Sequence, residues 1–187
     1  MIQTHRHPPA PARAAFARLA AFAVALALAA CGRTGQLPCP AAMVLKDADQ
    51  VVKFAPGQSA EPQNALYVGR IDQAKLNCTY DPNTYERLNV NLGVQITADR
   101  APGRQVQAAD LNYFVAIVNL QGELLARKEF PLHLQFSPGS NEVTKVDSIY
   151  QVIPLKYPQN GGSLQVWTGF VLSDAELQYN RAHGAGN

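Results

Sequence analysis

Histidine, tryptophan and cysteine are scarce in these 187 residues: four, one and three. No acid precedes Asp47. No apolar run approaches the about 20 residues that a helix, rising about 1.5 Å per residue, needs to cross a bilayer core. The longest run, Leu19 to Ala30, is too short for a permanent span. Each shortage excludes some chemistry. His5 and His7 lie near the N-terminus and His183 near the C-terminus. His133 alternates with Leu132 and Leu134, so it points away from a core. A lone exposed histidine is ordinarily a solvated side chain. No serine sits in a Gly-x-Ser-x-Gly elbow. Gly161-Gly162 lacks the lysine, serine and following helix of a phosphate loop. Asp47 and Asp49 offer too few oxygens for calcium. Cys39 and Cys78, with no histidine near them, fall short of a zinc site. No nucleophile, base and acid stand together in the sequence. The expectation is a non-enzyme with no cofactor and no metal. An enzyme is the third hypothesis, and it needs a cleft with convergent ionisable groups such as Asp81 and Glu86.

What is present begins with an address. Arg6, Arg13 and Arg18 precede the apolar run, and small residues close it. That is the layout of a secretory signal. Leu28-Ala29-Ala30-Cys31 resembles the lipobox of bacterial lipoproteins. The resemblance implies cleavage between Ala30 and Cys31 and acylation of the Cys31 thiol. It also implies three acyl chains, and stable anchoring takes more than one. Gly32, where an aspartate would mark inner-membrane retention, implies the outer membrane and its periplasmic face. The alternative is an ordinary secretory signal followed by a chance cysteine. On this reading residues 1–30 are signal peptide and 31–42 are the lipidated cysteine and a tether. Residues 43–180 form the domain and 181–187 a flexible tail.

The address changes the charge and cysteine arithmetic. The sequence has 16 basic and 14 acidic side chains, but three arginines leave with the signal, and the basic excess goes with them. No basic run survives to suggest nucleic acid as a partner. Acylation of Cys31 leaves Cys39 and Cys78. In an oxidising compartment the two are expected to pair, closing a 39-residue loop worth on the order of 3–4 kcal/mol. Two separate buried thiols are the alternative.

The body reads as strands. Residues 43–45 and 51–54 are short ones, with a possible helical turn over 46–50. Pro56-Gly57 breaks the chain, and 65–71 and 75–80 follow as two strands. Asp81-Pro82-Asn83 is a turn. Leu88, Val90, Leu92, Val94 and Ile96 alternate with small and polar residues, the clearest period of two in the chain. Residues 111–118 are apolar on both faces, as a central strand is. Asn119-Leu-Gln-Gly122 turns into a strand over 123–136 with Phe130, Leu132, Leu134 and Phe136 inward. Alternation in the next strand, 142–155, slips near Asp147 and predicts a bulge there. Pro154 ends it. The last strand, 164–172, leads to Ser173-Asp-Ala-Glu176, a capping box opening a short helix to about Asn180.

Seven or eight short strands with little helix predict an all-β antiparallel β-sandwich, with a small closed β-barrel as the alternative. The segment from Tyr113 to Phe136 resembles the late hairpin of bacterial immunoglobulin-like domains. The immunoglobulin pattern of a disulfide around a buried tryptophan is absent, because Trp167 follows both cysteines. The Cys39-Pro40, Cys78-Thr-Tyr-Asp81, Tyr113-Phe-Val-Ala116 and Glu176-Leu-Gln-Tyr-Asn-Arg181 steps resemble a small group of Gram-negative lipoproteins to which no activity is attached.

Trp167 and Tyr113 are the candidate recognition residues, since exposed aromatics anchor interfaces. Packing of Trp167 beneath the terminal helix is the alternative. The first functional expectation is an interaction or assembly module holding an envelope protein near the outer membrane. The second is a carrier of a small apolar ligand, motivated by the doubly apolar strand 111–118. A carrier needs a dry cavity of about 300 Å³ or more.

Overall fold

The computed structural model describes residues 37–156 and 158–183. Ala30, Cys31 and the rest of the signal segment lie outside the described residues, as do 184–187. Among the described residues there are eight strands: β1 (Ala41–Val44), β2 (Gln50–Phe54), β3 (Ala65–Tyr80), β4 (Arg87–Arg100), β5 (Ala108–Asn119), β6 (Leu124–Gln135), β7 (Glu142–Pro154) and β8 (Leu164–Phe170). One helix, α1 (Asp174–His183), follows them. Short 3₁₀ turns span Lys46–Ala48, Pro62–Asn64 and Gly161–Ser163.

The strands form two four-stranded sheets, in the orders β1-β8-β5-β6 and β2-β3-β4-β7. Each sheet keeps two edges, so the fold is a sandwich and not a closed barrel. All pairings are antiparallel except β1 with β8, which run parallel.

The period of two in β4 does what it predicts. Leu88, Val90, Leu92, Val94 and Ile96 are all but completely buried on one face. Full burial of each such side chain is worth about 1.5–3 kcal/mol. Leu92, Val94 and Ile96 share a core with Leu111, Tyr113 and Val115 of β5 and Phe170 of β8, while Leu88 and Val90 pack with Ile153, Leu155 and Leu164. β5 lies between β6 and β8, and Ala116 and Val118 of its outer row are buried as well as its inner row. Its outer Phe114 ring is covered by the Arg127 guanidinium at 4.6 Å. At Gly69 a Cβ would stand 2.9 Å from a Leu111 methyl, so the Leu111 side chain packs directly against that backbone.

Local polar residues set the turns. The Asp81 carboxylate accepts the amides of Asn83 and Thr84. Those bonds hold its carboxyl below the usual range. The Asn119 side chain accepts the amides of Gln121 and Glu123, and Gly122 supplies φ +80°. The capping box closes both ways: the Ser173 amide donates to Glu176 at 2.8 Å, and the Glu176 amide donates to the Ser173 hydroxyl at 3.3 Å.

Four expectations are corrected. The tether does not reach residue 42, because Ala41 and Ala42 already pair with Gln165 and Val166 in β1. Residues 65–71 and 75–80 are one strand, β3, whose register shifts between Ile71 and Gln73. No bulge sits at Asp147. The β4–β7 register is unbroken from Asp99↔Glu142 to Arg87↔Pro154. Asp147 keeps its place on the inner row because the Tyr113 hydroxyl donates to it at 2.7 Å, so the slip in the sequence pattern is a polar residue facing inward. Finally, Arg181 and His183 belong to α1 rather than to a tail. Arg181 reaches Asp47 at 3.1 Å, and the His183 ring stacks on Tyr179 at 4.1 Å.

Candidate interaction surface

The candidate residues lie in different settings. Cys39 and Cys78 are joined by a disulfide, with Cα atoms 5.7 Å apart. Beside it the Tyr80 hydroxyl donates to the Pro38 carbonyl and accepts from the Gly161 amide, each at 2.6 Å. The chain is therefore fixed to the body from Pro38 onward. Tyr113 is wholly buried and presents no recognition surface. Burial and the neighbouring Asp147 carboxylate push its phenol well above the ordinary value. Trp167 is half-buried on β8, opposite Met43 and Ala116, and donates to the Gln165 side chain at 2.9 Å. The main contacts of the helix lie elsewhere. α1 lies along β2 instead, with Tyr179 edge-on to Phe54 at 5.2 Å.

That contact shows how the second sheet treats its two edges. Along β2, the buried Asn180 amide donates to the Asp47 and Gln50 carbonyls at 3.1 and 2.7 Å. Lys53 pairs with Glu176 at 2.8 Å. Burial works against the Glu176 carboxylate, but the Lys53 ammonium and the Ser173 amide and hydroxyl overcome it and hold its pKa down.

Along β7, no described strand covers the far edge. The Leu155 amide donates to Glu86, and the Asn141 carbonyl accepts from Arg100, both on the β4 side. Backbone groups alternate sides in an antiparallel ladder. The N–H and C=O groups of Thr144, Val146, Ser148, Tyr150 and Val152 therefore face the open edge. The same residues point outward, and three are large and apolar: Val146, Tyr150 and Val152 are 57%, 65% and 48% exposed.

The open edge of β6 differs. The Phe136 amide donates to Gln107, so even-numbered residues near it face β5 and Pro131 faces outward. A proline there removes a donor from the free side and none from the ladder. Arg127, Lys128 and Glu129 add charge, which also discourages strand addition.

Between β6 and β7 the sandwich opens into an apolar cavity of about 80 Å³, lined by Val90, Leu92, Val115, Ile117, Phe130 and Ile153 among others. It is far below the size a carrier needs. A polar cleft of about 600 Å³ lies between the 101–107 and 136–141 loops. Its arginines are already engaged: Arg104 donates to the Gln63 and Ala65 carbonyls, and Arg100 lies 4.6 Å over Phe136. His133 is exposed and bonds Asp110 at 2.7 Å. Among the described residues, no three His, Cys, Asp or Glu side chains are grouped to hold a metal ion. No described helix is long and apolar enough to cross a membrane.

Sequence reasoning missed Val146, Tyr150 and Val152. Their signal was present: they share parity on β7, opposite the row of Val143, Ile149 and Ile153. A strand apolar on both faces is central in one sheet and open in the other, and only the strand order tells them apart. Comparison of the chain with protein-family models, curated proteins and solved structures returns no match.

Proposed function

We propose that this protein is a non-catalytic, lipid-anchored module of the bacterial envelope that holds a partner along the open edge of β7. The observation that carries the reading is the exposed row Val146, Tyr150 and Val152 on a strand whose outer edge no described strand covers. Exposed edge strands of this length attract added strands and are ordinarily blunted. The anchor is Cys31, acylated and facing the periplasm at the outer membrane. Cys39 follows Cys31 by eight residues, a length of chain that reaches at most about 30 Å when extended. The small cavity between the sheets favours this reading over a ligand carrier.

Two measurements test it in a Gram-negative host. Intact mass of the detergent-extracted protein is expected to show a chain starting at an acylated Cys31, and Cys31→Ser is expected to leave the membrane fraction. Val146→Arg with Val152→Arg, both at exposed positions, is expected to abolish co-purification of the envelope partner while the fold persists. Undiminished co-purification by the double variant contradicts the edge as the contact.

A further inference from the structure

We infer that the partner along β7 is a second copy of this chain, paired antiparallel about a twofold axis at Val146. This rests on the reading of β7 as a contact edge. Strands added to an antiparallel edge place residues directly opposite each other on the same face. In a twofold pairing each residue therefore meets one of equal parity, and the register is set by which residue lies on the axis.

The charges on β7 choose the register. The inner row carries Lys145 and Asp147. An axis at Lys145 sets two lysines opposite each other, and an axis at Asp147 sets two aspartates opposite each other. Like charges directly opposite are destabilising. An axis at Ser148 sets Asp147 against Ile149. An axis at Val146 sets Lys145 of each copy against Asp147 of the other, twice over. Among the described residues Lys145 makes no ion pair of its own. Asp147 receives only the Tyr113 hydroxyl, on Oδ2.

The rest of that register is compatible. Val146 meets Val146, Thr144 meets Ser148, Val143 meets Ile149, and Glu142 meets Tyr150. Thr144, Val146 and Ser148 are among the residues whose backbone groups face outward, so the new ladder uses groups no other described strand occupies. A charged residue in an edge strand's inner row ordinarily blocks pairing. Here one of each sign, two residues apart, opposes the registers one step to either side and favours this one. The join makes one eight-stranded sheet from two copies. Cys78 is level with Gln151 through Val90, so the two tether points lie on opposite sides of the axis, about 33 Å apart along the strands. Each tether reaches about 30 Å, so both anchors enter one leaflet when β7 lies along the membrane.

The test is cysteine cross-linking of the full-length lipoprotein in its envelope. With Cys31 acylated and Cys39 bonded to Cys78, V146C adds the sole free thiol. Paired residues that exchange backbone bonds have Cα atoms about 5.5 Å apart, within disulfide reach. V146C is expected to form a disulfide-linked dimer at least tenfold more readily than Y150C. Y150C is expected to cross-link when co-expressed with E142C. K145E, at an exposed position, is expected to lower the V146C yield at least tenfold with the melting temperature unchanged. A V146C chain that stays monomeric, or a yield indifferent to K145E, overturns the twofold pairing. A cross-linking amino acid at position 146 then separates the two readings. Capture of a different envelope protein alone keeps the edge and removes the second copy. Capture of nothing removes both. Dimers in the wild-type chain report a free Cys31 and contradict the anchor.

Discussion

At one side of the second sheet, β2 lies under α1 and hands its neighbourhood to Asn180, Tyr179 and Glu176. At the other side, β7 runs thirteen residues with no described strand on its outer backbone groups and with Val146, Tyr150 and Val152 exposed. Both are edges of the same sheet, and edges left open invite added strands. A fold that spends a capped helix on one edge has the means to close the other. On that difference rests the proposal that β7 is the edge a partner uses.

The largest expected effect falls on a feature common to both edges. Replacing Cys39 and Cys78 with serine removes a 39-residue cross-link and is expected to cost on the order of 3–4 kcal/mol. Urea unfolding checks it, and no change in midpoint contradicts it. On the covered edge, Asn180→Ala leaves the Asp47 and Gln50 carbonyls without the buried amide they accept, at about 2 kcal/mol. Hydrogen exchange at β2 is expected to quicken in this variant while β7 stays as it was. On the open edge, Tyr113→Phe removes the hydroxyl that holds Asp147 inward, at about 1–2 kcal/mol.

Glu176 gives the covered edge a pH signature. Its carboxyl has a folded pKa below the ordinary 4.5, so the unfolded chain binds the proton more readily. The stability it contributes is fully present above about pH 4.5 and fades as pH falls through the lower folded value. Glu176→Gln is expected to cost about 1 kcal/mol at neutral pH and to flatten the acid limb of a melting-temperature profile. Arg181→Ala, which breaks an exposed pair with Asp47, is expected to change stability by less than about 1 kcal/mol.

The parts of the fold legible in the sequence are those with one buried face. β4 announces itself through five alternating side chains, and α1 through Ser173 and Glu176. The turns at Asp81 and Asn119 follow from side chains that bond their own backbone. What escaped was non-local. The pairing of β1 with β8 sets Ala41 and Ala42 inside the domain, and nothing near them in sequence says so. Asp147 reads as a slipped register until Tyr113, on another sheet, meets it. Tyr113 looks like a recognition residue until the same contact shows it sealed inside. The exposed row on β7 looks like half of a central strand until the strand order leaves it at an edge.

The most direct test of the account is site-specific photocross-linking in the native envelope, with the reactive amino acid at Val146 or Tyr150 on the open edge and at the exposed Gln178 of α1. The account predicts protein adducts from the two β7 positions and none from Gln178. Adducts from Gln178 alone, or equal adducts from all three, contradict it.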